Sequence, residues 1–220
     1  MISIHISNYI RSACPEIRLG IISCELINSP SNNNLWIEME NEISTIRQSY
    51  TIEDINKRNE IRATRLIYKT LGKDPNRYRP SAEALCRRII RELDIYRVNT
   101  LVDIINLVSI RSGFSIGCFD LELIVGNLNL EVGNENEKFD AIGRGLLNIA
   151  GLPIYRDEVG GIGTPTSDSE RTKISENSTK VLIIINDYAR SPNLETAVNY
   201  CLDLLKRYAG LIQFELKYID

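Results

Sequence analysis

Val98-Asn99-Thr100-Leu101-Val102-Asp103-Ile104-Ile105-Asn106, followed by Gly113 and then Gly117-Cys118-Phe119-Asp120, is the stretch on which the fold turns. Leu101, Ile104, Ile105 and Val108 recur at i, i+3, i+4 and i+7, the spacing of an apolar stripe along one helix face. Thr100 with Asp103 reads as a capping box in which Asp stands for the usual Glu, and Gly113 supplies the stop. Val102 and Leu107 make a second face apolar, so the helix is expected to be buried on most sides. Asp103 and Asn106, three residues apart, project from one face. Polar groups among so many apolar neighbours need partners, either a pinned backbone or a ligand.

Working outward, Leu121–Val125 and Leu128–Val132 read as strands joined by a two-residue turn at Gly126-Asn127. Val181–Ile185 is apolar without interruption, which predicts a central strand. Strand patterns also cover Ile2–Ile6, Ile17–Ile27 and Leu152–Tyr155, while Gly160–Gly163 reads as a tight turn at a pocket rim. Leu35–Thr70 has a charged helical pattern in two pieces broken near Thr51-Ile52. Another helix starts at Pro80 or Ser81, with Leu85, Ile89 and Leu93 along one side. A C-terminal helix begins at Ser191-Pro192 and stops at Gly210, and Leu211–Ile219 alternates as a strand with one wet face. Helices and strands interleave without strict alternation. The expected class is therefore α+β, a mixed and largely antiparallel sheet flanked by helices. One domain over residues 1–220 is expected, with strands and basic helices in 1–78 and a helix–strand unit in 191–220.

Composition narrows the chemistry. Hydrophobic residues at 43% and charged residues at 25% suit a soluble globular protein with a sizeable core. No apolar run approaches the ~20 residues a membrane helix needs, and the first residues lack the pattern of a signal peptide. Five widely spaced cysteines fit reduced thiols in a cytoplasm better than a disulfide frame or paired zinc ligands. His5 is the only histidine, which excludes Ser-His and Cys-His pairs unless it serves alone. Net charge is −3, yet Lys57–Arg97 holds twelve Lys or Arg against five acids, a local +7 that leaves −10 for the remainder. Such a lobe either docks a phosphate backbone or forms the solvated faces of surface helices.

The segment from Val98 to Asp120 resembles the editing domain of the phenylalanyl-tRNA synthetase beta subunit, its fused B-three/B-four modules. The motifs that carry the resemblance are Asn99, Val102-Asp103-Ile104-Ile105-Asn106, Gly113 and Phe119-Asp120. Downstream come Gly126, the strand Leu128–Val132, Asp157, Ser167-Asp168-Ser169-Glu170-Arg171-Thr172 and Thr179 before Val181. The similarity spans about Arg79 to Ile185, near half the chain. It departs from the family at Gly117, where the family's loop carries His, at Cys118 in place of Ala, and at Ser167-Asp168-Ser169 in place of the family's Gly-Gly-Glu.

The resemblance implies a free-standing editing-type domain that takes the aminoacylated 3′ end of a tRNA, or a small amino acid, and hydrolyses a mischarged ester. Such a pocket selects a side chain bearing an extra hydroxyl by hydrogen-bonding it. Glu170 is the expected catalytic or selecting carboxylate. Asn99, Asp103, Asn106, Gly117, Cys118, Asp120, Asp168, Arg171 and Thr172 are expected around the substrate. The alternative is a non-catalytic RNA- or amino-acid-binding module that keeps the fold without the chemistry. No cofactor, metal or membrane partner is expected.

Several residues carry two readings. Asp103 and Asn106 either shape a pocket or fix the following loop. Arg171-Thr172 either meets a substrate anion or caps a strand. Cys118 is a nucleophile only if something activates it; otherwise it is small core filling. Asp120, Asp157, Asp168 and Glu170 could gather round a divalent ion only if folding brings distant positions together.

Overall fold

Five consecutive apolar residues, Val181–Ile185, demand burial on both faces of a strand, and the architecture provides it. In the computed structural model, which describes residues 2–220, β9 (Lys180–Asp187) lies between β2 (Arg18–Glu25) and β3 (Ser115–Asp120). Strand β10 (Gln213–Ile219) adds to the outer side of β2, and all three ladders are antiparallel. Val181, Ile183 and Ile185 enter one apolar core, whereas Leu182 and Ile184 enter a second. Each such side chain contributes roughly 1.5–3 kcal/mol on burial.

The first core fills the space between this sheet and four helices: α2 (Asn33–Ser49), α4 (Ser81–Ile90), α5 (Thr100–Ser112) and α6 (Leu194–Tyr208). Behind the other face lies a sheet ordered β1 (Ile4–Ile6), β4 (Leu128–Val132), β7 (Pro153–Arg156), β8 (Gly161–Gly163). Its β1–β4 ladder is parallel and its other two are antiparallel. Helices α1 (Asn8–Ala13) and α3 (Asn59–Thr70) add Ile10, Ile67 and Tyr68 to that second core. Short strands β5 (Asp140–Ala141) and β6 (Gly145–Leu146) form a separate ribbon. The α+β class with a mixed, largely antiparallel sheet arrangement is the observed one.

Helix α5 is tied at both ends. Asn99 is its N-cap, its side chain accepting the Val102 N–H at 2.9 Å, one residue earlier than the Thr100–Asp103 box expected. Thr100 is free for another duty, and its hydroxyl meets the Pro30 carbonyl at 2.8 Å. Gly113, at φ +86°, makes the left-handed stop that a side chain would strain.

Four expectations need correction. Leu121–Leu123 is a 3-10 turn, not a strand, because the Asp120 carboxylate accepts the Glu122 N–H and the Ser178 hydroxyl and bends the chain. Gly126-Asn127 therefore closes no hairpin; Asn127 accepts the Ser3 N–H at 3.1 Å and delivers β4 to β1 and β7. Helix α4 ends at Ile90 and Glu92 adopts φ +58°, which leaves Leu93 47% exposed instead of on the apolar side. Asp187 accepts the Ala189 and Ser191 N–H groups, so Ser191-Pro192 belongs to a turn and α6 starts at Leu194. In addition Gly161–Gly163 is strand β8, with only Gly160 left to the turn, and β10 is wet on both faces over most of its length. Among the described residues no helix is long and apolar enough to cross a membrane. All five cysteines are buried and free.

Candidate functional site

Helix α4 and the segments that flank it place part of the basic run on one surface. Arg77, Arg79, Arg87, Arg88, Arg91 and Arg144 line a groove of about 460 Å³, and Tyr96, 68% exposed, stands at its side. No acidic side chain joins that lining. Glu83 is buried, with its strongest pairing to Arg65 at 2.8 Å, and reaches Arg79 and Arg87 only at 3.9 and 3.8 Å. Arg88 lies over the Tyr96 ring, 4.4 Å from its centroid. The Arg91 and Arg144 side chains have no hydrogen-bond or ion-pair partner among the described residues. Two other cations of the lobe are structural: Lys73 donates to the Asn148 and Ala150 carbonyls, and Arg58 to the Ile110 and Arg111 carbonyls that end α5.

Ser81, Leu85, Asn106 and Arg144 also line an adjoining cavity of about 490 Å³. Its walls are largely apolar, with Val102, Ile105, Ile116 and Ile174 prominent, and Asp168 is the one carboxylate among its lining residues. The Cys118 N–H donates to Asp168 Oδ2 at 3.1 Å. Burial pushes the Asp168 carboxyl up to about 7, and that single backbone donor only partly opposes the rise.

Glycine makes room for this carboxylate. A Cβ at Gly163 would lie 2.5 Å from the Phe119 ring and 2.7 Å from Asp168 Oδ1; one at Gly117 would lie 2.7 Å from the same ring. Cys118 lines the cavity, but burial and the nearby Asp168 carboxylate push its thiol well up, so it is no thiolate near neutrality.

Glu170 is not among the cavity-lining residues. It is half-buried, accepts the Gly143 N–H at 3.3 Å and pairs with Lys173 at 2.6 Å; the hydrogen bond from Lys173 is the main reason its carboxyl lies below the usual range. Arg171 grips Asp157 with two hydrogen bonds of 2.7 and 3.0 Å. Burial would raise the Asp157 carboxyl, but Arg171 and the N–H groups of Val125, Gly160 and Val159 outweigh it and hold the group low. Thr172 is buried and its hydroxyl has no partner among the described residues, and Asp120 is occupied by the turn described above. Asp103 is fully buried and accepts from Trp36 Nε1 at 2.7 Å, from the Val98 N–H at 3.1 Å and from the Ser31 hydroxyl.

Of the ten expected residues, folding thus gathers Asn106, Cys118 and Asp168 on the cavity, with Gly117 beneath Asp168. Asn99, Asp103, Asp120, Glu170, Arg171 and Thr172 are not among its lining residues. Among the described residues no three His, Cys, Asp or Glu side chains are placed to hold a metal ion. Sequence alone did not single out Arg144, although its place between Gly143 and Gly145, both at positive φ, marks a tight turn that presents a side chain outward.

Residues 63–210 match the B3/4 domain family. A crystal structure of an N-terminal fragment of the phenylalanyl-tRNA synthetase beta-subunit from Pyrococcus horikoshii superposes with a TM-score of 0.50 at 13% identity. The alignment covers 95% of this chain and 50% of that one, so the chain spans about half the length of the synthetase fragment. At this identity the likeness concerns the fold. No curated protein matches the sequence. The family match reaches beyond the Arg79–Ile185 segment on both sides and takes in most of α3 and all of α6. Since it covers more than half of the sequence, the chain belongs to the B3/4 domain family.

Proposed function

We propose that this domain binds the aminoacylated end of an RNA and hydrolyses its ester. The observation that carries the reading is the continuity of an arginine-lined groove with a small cavity that holds one carboxylate. Guanidinium groups take RNA phosphates, with Tyr96 available as a stacking surface for a base. The amino-acid side chain then enters between Val102, Ile105 and Ile116, and the scissile ester comes near Asp168. A carboxylate raised to about 7 is half ionised near neutrality, the condition that suits a general base. Asp168 takes a proton from water as its oxygen attacks the ester carbonyl. Collapse of the adduct releases the ribose oxygen, which receives that proton, leaving free amino acid and RNA. Arg144 supplies positive charge to the developing oxyanion.

This reading moves the working carboxylate from Glu170 to Asp168. The test is single-turnover deacylation of tyrosyl- and phenylalanyl-tRNA by the parent, Asp168→Asn and Glu170→Ala. Asp168→Asn should keep RNA binding and lose about 10²–10⁴-fold in rate, the usual weight of a general base; Glu170→Ala should hydrolyse like the parent. Equal rates for parent and Asp168→Asn would refute the assignment. A second reading, binding without hydrolysis, is favoured by Gly117 standing where the family carries His. RNA binding with no deacylation by the parent would establish it.

A further inference from the structure

Strand β10 lies at the end of its sheet, with β2 as its neighbour in the strand order. Seven consecutive residues, Gln213–Ile219, pair with Glu25–Leu19 without a register shift. Every second N–H and C=O of such a strand faces away from β2, a ready template for another strand. The usual guards are sparse: β10 has no proline and no bulge. Apolar side chains are also unusually open here, with Ile212 61%, Phe214 41% and Leu216 38% exposed.

We propose that two copies of this chain associate through β10, antiparallel, with a two-fold axis at Leu216. The sequence is self-complementary about that residue. Phe214 then faces Tyr218 of the second copy, Glu215 faces Lys217, Leu216 faces itself, and each relation is repeated by symmetry. The result is one continuous eight-stranded sheet, ordered β3-β9-β2-β10 and then the same strands in reverse.

Competing registers are worse. Sliding by two residues, which keeps every side chain on its face, sets Glu215 against Glu215 or Lys217 against Lys217. A one-residue slip puts apolar side chains opposite charged ones and loses both ion pairs. Parallel pairing in register stacks like charges. The occupant that this edge fits is therefore a second copy.

Sedimentation equilibrium of the full chain tests the proposal. The parent should approach 50 kDa with rising concentration, twice the chain mass of 25.0 kDa. Lys217→Glu alone, or Glu215→Lys alone, sets like charges opposite each other twice and should weaken the dimer by about tenfold or more. The double variant Glu215→Lys/Lys217→Glu restores opposite charges and should restore the dimer, which general damage to the strand could not do. Circular dichroism and thermal melting of each variant confirm that the fold persists. A parent that stays monomeric up to its solubility limit, a Lys217→Glu dimer as tight as the parent's, or a double variant no tighter than the singles would each overturn it.

Discussion

Replacing Asp168 by Asn removes a titrating group from the cavity while leaving an oxygen to accept the Cys118 N–H. In the unfolded chain Asp168 releases its proton near 3.8; in the native protein burial holds the proton until about 7. Between these values the native state binds the extra proton, so stability falls as pH rises. The contribution is fully present below the unfolded value and is lost as pH climbs through the folded one. Three pH units at about 1.4 kcal/mol each set a ceiling of about 4 kcal/mol. Water reaches part of this half-buried residue, which reduces the expected difference to about 2–3 kcal/mol. Urea unfolding followed through Trp36, the sole tryptophan and a buried one, should give two pH profiles that diverge. The parent loses stability from about pH 4 to above 7 relative to Asp168→Asn, whose amide does not titrate. Parallel profiles across that window would show that Asp168 is not withdrawn from water, and the physical basis for its role would fail.

The other predictions concern the frame and the groove. Gly163→Ala forces a Cβ onto the Phe119 ring and Asp168 Oδ1; it should cost about 1–3 kcal/mol in chemical denaturation and depress deacylation beyond the loss of stability. Asp103→Ala strands the Trp36 indole N–H in the interior and releases the Val98 N–H, which should cost about 1–3 kcal/mol by the same denaturation assay. Arg91→Ala should weaken tRNA binding and flatten the log–log salt dependence by about 0.7, the value for one single-strand phosphate left without its arginine, as read by filter binding from low to moderate salt. The depressed Asp157 carboxyl stabilises the fold above the ordinary carboxylate range and loses that contribution as pH falls. Arg171→Ala should therefore lower stability near neutrality and make acid unfolding less steep.

Much of the architecture could be read before folding. Val181–Ile185 announced a strand buried on two faces because four of its five apolar side chains are β-branched and the run is short. The α5 stripe and Gly113 followed from period and backbone conformation, and both are local properties. One failure was non-local and another local. Leu121–Val125 looks like a strand, yet Ser178, more than fifty residues away, captures Asp120 and turns the chain. Leu93 keeps helical spacing, but Glu92 turns into the left-handed region after α4 ends at Ile90. At the site, spacing placed Asp168 and Glu170 together in one motif without saying which faced the cavity. That choice depends on Gly117 and Gly163 clearing space beside Phe119, and on Lys173 holding Glu170 aside. The arginine excess was visible as a count. Which basic side chains remained open depended on Glu83 and on the carbonyls that claim Arg58 and Lys73.

Single-turnover deacylation of a mischarged tRNA by the parent protein, measured from pH 5 to 9 and corrected for spontaneous hydrolysis, tests the central claim most directly. A protein-dependent rate that climbs with pH and levels off above about 7, the value to which burial raises Asp168, is the predicted result. No acceleration over the spontaneous rate at any pH, under conditions where the tRNA is bound, would contradict it.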